Sequence, residues 1–215
     1  MVEKQTHYNF IAIEGNIGAG KTTLAKKLSV DFNSRLILEQ FAENPFLPKF
    51  YDNPEKHAFP LELSFLAERY QQLKNELGKQ DIFKPTIVSD YYFLKSLIFA
   101  KANLIEDEYG LYSKLFHIIN DSLPKPDLFV YLYHDVERLQ QNIKKRGRNY
   151  EQSIPDEYLI KIQNTYFDFI KQLNDLRILV IDVNNMDFAN DNEHYNHMME
   201  IINRPYNAGI TRITA

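Results

Sequence analysis

Five short runs of β-branched and aliphatic residues punctuate the chain: NFIAIE (9–14), RLILE (35–39), PTIVSD (85–90), DLFVYLYH (127–134) and RILVIDV (177–183). Most are apolar without interruption rather than alternating, the mark of strands covered on both faces. The stretches between them carry helical spacing, which predicts helices over residues 22–31, 59–77, 92–104, 111–121, 135–145, 155–174 and 190–202. Strands separated by helices imply an α/β fold with one parallel sheet, here of five strands, covered by helices on both faces. Ligands of such sheets collect at the carboxyl ends of the strands. The residues that follow each apolar run are therefore the ones to inspect.

A length of 215 residues suits one domain spanning 1–215. There is no repeat, low-complexity tract or Gly/Ser-rich linker to divide it. The longest apolar runs fall short of the roughly 18 residues a membrane helix needs, and the polar start MVEKQTHYN lacks a signal-peptide layout. A soluble protein with no membrane partner is expected. The absence of cysteine rules out disulfides and thiolate metal sites and fits the cytoplasm. A net charge of -4 argues against broad binding to duplex nucleic acid, which needs basic surface. Any anion site must then be local.

One such site is visible. Gly15, Gly20, Lys21 and Thr22 satisfy G-x-x-x-x-G-K-[ST], between the strand NFIAIE and the helix TTLAKKL, where that pattern builds a phosphate-binding loop. Glycines let backbone N–H groups turn inward and approach a phosphate, and the helix N-terminus adds its positive dipole end. The cradle comprises Gly15, Asn16, Ile17, Gly18, Ala19, Gly20, Lys21, Thr22 and Thr23. Lys21 would reach the β- and γ-phosphates of a triphosphate, and the Thr22 hydroxyl would take a Mg²⁺ position. The bland alternative is a tight strand-to-helix turn with a chance lysine. Water, a conformational switch or a small-molecule hydroxyl could each receive the γ-phosphoryl group. The late N-K-x-D guanine reader of a GTPase switch is missing. In NIKKRGRNYEQ (142–152), Lys144, Lys145, Arg146 and Arg148 crowd around a glycine. That suits a basic lid closing over transferring phosphates, against the alternative of a solvated helix end favoured by the dipole.

With these pieces in order, the chain resembles the deoxynucleoside kinases over nearly its whole length. The resemblance rests on GNIGAGKTT (15–23), LEQFAENPFL (38–47), FYDNPEKHAFPLELSFLAER (50–69), KRGRNYEQSIPDEYL (145–159) and IDVNNMDF (181–188). It implies a P-loop kinase fold and transfer of the γ-phosphoryl of ATP, with Mg²⁺, to the 5′-hydroxyl of a deoxynucleoside in nucleotide salvage. It also implies a homodimer built through helices beside the sheet, for which 59–77 and 111–121 are candidates. By the same resemblance Glu39 is the catalytic carboxylate, with Glu43 as a nearby competitor. Lys21, Arg146 and Arg148 stabilise the moving charge. Tyr51 and Glu151 bind the sugar 3′-hydroxyl, Phe99 stacks on the base, and Asp182 to Phe188, including Asn184, touches the adenine of ATP.

Some positions depart from the family pattern. Asp90 can supply the Mg²⁺-facing carboxylate with Thr22, but Tyr91 stands where an arginine is expected, and Lys95, one helical turn on, is the candidate replacement. Asn142 stands where a further lid arginine is often found. Glu62 occupies the place of a base-reading glutamine. An ionised carboxylate only accepts hydrogen bonds, and guanine presents two adjacent N–H donors, so Glu62 points to deoxyguanosine, with Arg69 placed to meet O6 or N7. A monophosphate kinase of thymidylate-kinase type is one rival reading, although residues 39–69 offer few extra cations for a substrate phosphate. A non-catalytic ATP-binding protein is the other.

Overall fold

The computed structural model describes residues 5–40, 44–79 and 81–215. Glu43 lies outside the described residues. Six strands, β1 (Phe10–Gly15), β2 (Arg35–Ile37), β3 (Ile87–Ser89), β4 (Leu128–Tyr133), β5 (Arg177–Asp182) and β6 (Gly209–Thr214), form one sheet in the order β2-β3-β1-β4-β5-β6. Every pairing is parallel, with Phe10 opposite Ile87 and Ile11 opposite Leu128. The expected five strands are thus corrected to six. The sixth, GITRIT, escaped because it is an edge strand whose residues are only partly buried or exposed, so it lacks the apolar run of its neighbours. Its β-branched Ile210, Thr211, Ile213 and Thr214 were the signal available.

Among the described residues eight α-helices join them, α1 (Lys21–Asp31), α2 (Leu47–Asp52), α3 (Pro54–Leu77), α4 (Leu94–Asn103), α5 (Glu106–Asn120), α6 (Val136–Arg146), α7 (Asp156–Ile170) and α8 (Asn192–Ile202), with a 3₁₀ turn at Asn149–Glu151. α3 begins five residues before the expected 59 because the Asn53 side chain accepts the Lys56 N–H (3.2 Å) and Pro54 takes the first helical position. α2 is too short to show a period. α6 ends at Gly147, whose φ of 73° is left-handed, and its N–H bonds the Ile143 carbonyl (3.2 Å). That stop turns the chain between α6 and Arg148.

The uninterrupted apolar runs follow from the two-residue period of a strand with both faces covered. Ile11 and Ile13, Val130 and Leu132, Leu179 and Ile181 point to one side, packing with Leu24 and Leu28 of α1, Leu139 and Ile143 of α6 and Met198 of α8. Phe10 and Ala12, Phe129 and Tyr131, Ile178 and Val180 point to the other, against Leu66 of α3, Leu97 of α4, Phe116 of α5 and Ile162 of α7. Each such side chain contributes roughly 1.5–3 kcal/mol by burial, so the carboxyl edge of the sheet is a rigid platform. A small third cluster, Phe50, Ala58, Leu61 and Phe65, packs α2 onto α3 beside that edge. Among the described residues no helix is long and apolar enough to cross a membrane.

Candidate active site

The loop between β1 and α1 is packed on two sides. A Cβ on Gly18 would stand 2.8 Å from the Leu139 carbonyl oxygen of α6, and one on Gly20 would stand 2.8 Å from the Phe188 ring. Both glycines also have left-handed φ, 84° and 86°, so only glycine fits at either position. Asn142, in the place of a lid arginine, donates its amide to the Gly18 carbonyl (2.9 Å), fastening α6 to the loop. Asn16 is buried and reaches across to the Leu159 carbonyl (2.8 Å). Lys21 Nζ donates to the carbonyls of Gly15 (3.0 Å) and Asn16 (2.8 Å). Burial, then the neighbouring Lys95, pulls its ammonium down to about 8, against the restraint of Glu14 and Glu39. Thr23 lies exposed in the first turn of α1.

Asp90, just beyond β3, ties this loop to Glu39. Its Oδ2 accepts the Thr22 hydroxyl (2.5 Å) and its Oδ1 accepts the Glu39 N–H (2.7 Å). The Glu39 carboxylate is clamped in turn. Arg69 donates Nε (2.9 Å) and Nη2 (2.7 Å) to Oε1, and Lys95 Nζ lies 2.5 Å from Oε2. Burial alone would push the Glu39 carboxyl up, but Lys95 and then Arg69 hold it at about 2. Tyr91 does not replace the expected arginine electrostatically. Its hydroxyl donates to Gln72 Oε1 (2.7 Å), and Gln72 Nε2 donates to the Leu38 carbonyl (2.8 Å), so it fixes the backbone next to Glu39.

Thr22 and Asp90 offer hard oxygen donors side by side, which fits Mg²⁺, an ion that binds through one or two carboxylates and keeps waters and phosphate oxygens for the rest. Among the described residues no group of three or more His, Cys, Asp or Glu is placed to hold a metal, so a site made by protein groups alone is not the type to look for.

One cavity collects every expected catalytic and substrate residue. Lys21, Glu39, Arg146 and Arg148 line it together with Tyr51, Glu62, Arg69, Asp90, Phe99 and Glu151. At the lid, Glu151 is buried and pairs with Arg146 and, at 3.2 Å, with Arg148. Tyr51 stacks on Tyr150 with ring centroids 6.0 Å apart. At the opposite end, Glu62 is 1 % exposed. Its Oε1 accepts the Asn103 amide (2.7 Å), while Oε2 is buried with no hydrogen-bond partner. Burial pushes this carboxyl up to about 7, against the pull of Arg69. Arg69 commits a third donor, Nη1, to Ser96 Oγ (3.0 Å). Asp182 and Asn184 lie elsewhere, at the end of β5. Asn184 donates to Asp182 Oδ1 (3.0 Å) and accepts the Asp135 N–H (2.8 Å), which pins this loop to the start of α6.

Three residues of the site were missed from sequence. Ser96 and Asn103 are polar positions on the same α4 face as Phe99, inside the otherwise apolar LKSLIFAKAN, and that break in the pattern was the available signal. Glu14 is wholly buried at the end of β1, where it accepts the Tyr92 N–H (2.6 Å) and the Tyr166 hydroxyl (2.8 Å). It carried no signal beyond being a charge in an apolar run.

Comparison with known proteins sets this geometry among relatives. Residues 11–205 match the family model described as deoxynucleoside kinase. The chain is similar to a deoxyguanosine kinase of Bacillus subtilis, 38% identical over 201 residues that cover 90% of this chain and 97% of the relative. A deoxyadenosine kinase of Dictyostelium discoideum is 34% identical, covering 87% of this chain and 76% of that one. Among solved structures, a deoxyadenosine kinase from M. mycoides with bound dATP superposes with a TM-score of 0.78 at 27% identity, covering 91% of this chain and 100% of that one.

Proposed function

The chain belongs to the deoxynucleoside kinase family, and on that premise we propose that its cavity transfers the γ-phosphoryl of ATP to the 5′-hydroxyl of a purine deoxynucleoside, deoxyguanosine before the others. The enzyme is a kinase of nucleotide salvage. The observation that carries the detailed reading is the chain of contacts from Thr22 through Asp90 to the Glu39 backbone, which ties a largely buried carboxylate to the loop 15–23.

In this mechanism the loop 15–23 holds the triphosphate through backbone N–H groups, and Lys21 turns from the loop carbonyls to the β- and γ-phosphates. Thr22 and Asp90 would hold Mg²⁺, which would neutralise phosphate charge when bound. Glu39 orients the 5′-hydroxyl and takes its proton as the phosphorus is attacked. A carboxyl held at about 2 is a weak base. Phosphoryl transfer tolerates that, because its loose transition state asks for positioning and charge stabilisation more than for strong deprotonation. Arg146 and Arg148 stabilise the charge that develops as the lid closes, and Tyr51 with Glu151 receives the 3′-hydroxyl. Phe99 stacks on the base, Glu62 accepts its N–H groups, and Arg69 has uncommitted N–H groups for O6 or N7. Asp182 and Asn184 hold the loop that meets the adenine of ATP. We place this activity in the cytoplasm, in keeping with the family to which the chain belongs.

A substrate panel read with the unaltered protein and with Lys95→Met tests the reading. With ATP and Mg²⁺, deoxyguanosine is expected to be the best substrate and nucleoside monophosphates are expected not to react. Lys95→Met is expected to lower kcat roughly 10–100-fold, because Glu39 then keeps one of its two cations, a loss of about 1.4–2.7 kcal/mol of transition-state stabilisation. Turnover of monophosphates alone would hand the case to the thymidylate-kinase type, and undiminished turnover by the variant would make Lys95 structural only.

A homodimer is the expected assembly. Leu111, Leu115 and Ile118 recur at helical spacing on α5 and are solvent-exposed, as is Leu63 on α3, so these two helices offer one apolar surface for a second copy. Sedimentation at micromolar concentration is expected to give twice the chain mass, and a monomer there would overturn the assignment.

A further inference from the structure

Glu62 is a carboxylate with one satisfied oxygen and one that is not. Glu62 lines the cavity; Asn103 donates to Oε1 from the end of α4, and Oε2 is buried with no hydrogen-bond partner. The asymmetry has a chemical consequence for the protonated form. A proton on Oε1 would face the N–H of Asn103, donor against donor, so the proton must reside on Oε2, the oxygen left without a protein partner. Ionised Glu62 then presents an acceptor to the base, and protonated Glu62 presents a donor at the same atom.

We propose that the protonation of Glu62 sets the class of purine this site accepts: ionised, it takes bases whose ring nitrogen carries hydrogen (guanine, hypoxanthine), and protonated, it takes bases whose ring nitrogen is bare (adenine). The inference rests on the reading of Glu62 as the group that meets the base. Each form rejects the other class for the same reason, since a mismatched pair leaves two donors or two acceptors facing each other in a closed space.

The surroundings put the change near neutrality. Burial pushes Glu62 up to about 7, with Arg69, the Asn103 hydrogen bond and Lys95 opposing that rise and Glu39 adding to it. The two cations are engaged elsewhere. Arg69 is bound to Glu39 and Ser96, and Lys95 to Glu39. From the remaining elements the titratable groups around the same cavity are Lys21 of α1, Asp90 beyond β3, Tyr51 of α2, Tyr158 of α7 and Glu151, the last paired with Arg146 and Arg148. Tyr112 of α5 hydrogen-bonds the Glu62 backbone carbonyl (3.3 Å). Burial raises the hydroxyls of Tyr51, Tyr158 and Tyr112, which keeps them neutral throughout.

The test is the ratio of kcat/KM for deoxyinosine to that for deoxyadenosine, measured at about pH 6 and about pH 8 under matched ATP and Mg²⁺. Taking the ratio at each pH cancels titrations common to both reactions, such as that of Lys21. The ratio is expected to rise at least about tenfold from the lower to the higher pH. It should be flat in Glu62→Gln, whose amide does not titrate. In Asn103→Leu the rise should move to higher pH, because the ionised form loses its donor. A flat ratio in the unaltered protein, with Glu62→Gln still changing base choice, overturns the proposal and leaves the base reading intact. A ratio that Glu62→Gln does not alter at either pH overturns both. If Glu62→Gln does not fold, an unshifted rise in Asn103→Leu overturns the proposal by itself.

Discussion

Glu39→Gln is expected to lower kcat by about 10²–10⁴-fold, the range that a positioned acid or base contributes, while ATP still binds. The amide preserves the shape of the side chain and can still hydrogen-bond Lys95 or Arg69 through its oxygen, so the loss reports on charge and proton acceptance. Binding of ATP survives because the loop 15–23 gets its geometry from glycine conformations and from contacts with Leu139, Phe188 and Asn142, none of which involves Glu39. Stopped turnover with retained binding, measured by calorimetric titration with ATP beside a steady-state assay, separates catalysis from binding. Turnover within about tenfold of the unaltered enzyme would move the base to Glu43.

The second large effect is on stability. Arg69→Met removes a guanidinium that is 4 % exposed, lies over the Phe65 ring at 4.6 Å and makes hydrogen bonds to Glu39 and Ser96. Breaking a buried pair by deleting one partner costs about 3–5 kcal/mol, and Lys95, which still faces Glu39, sets the loss toward the lower end of that range. For a chain of this size that is a fall in Tm of roughly 6–20 °C. The sign of the pH dependence is fixed by Glu39. Its folded carboxyl, held at about 2, lies below the unfolded value of 4.5, so the pair stabilises the fold at pH values above 4.5. That contribution is lost as the pH falls toward 2. The gap in Tm between the two proteins is therefore widest near neutrality and closes in acid. In the double variant with Glu39→Gln the cost of Arg69→Met should shrink, the mark of two coupled residues. Equal, additive costs would show that Arg69 acts through packing alone.

How much of this was legible beforehand divides along physical lines. The phosphate cradle is contiguous in sequence, and its glycines are demanded by local backbone geometry, so Gly15 to Thr23 could be read directly. The inner strands were legible because both their faces are covered, which leaves an uninterrupted apolar run. β6 was not, since its half-buried and exposed residues alternate and leave no such run, unlike the other edge strand, β2, with its RLILE, and α2 was not, since six residues carry no period. The clamp on Glu39 joins residue 39, in the loop after β2, to residue 69 of α3 and residue 95 of α4. No local pattern encodes such a meeting. Lys95 could be suspected only because Tyr91 left a charge missing one helical turn away, and Asn103 could not be paired with Glu62 until α3 and α4 were seen side by side.

The strand order carries a consequence for how the molecule is made. β1 lies in the middle of the sheet, yet its partners begin at Ile87 and Leu128. Synthesis proceeds at roughly 5–20 residues per second, so FIAI, apolar on both faces, waits several seconds for the strands that cover it. Until then the loop 15–23 has no rigid strand behind it, and the nascent chain exposes an apolar strand early. The part of the enzyme most plainly written in its sequence is thus among the last to take shape, and a chaperone that shields the emerging amino-terminal third would act where the chain is most exposed to aggregation.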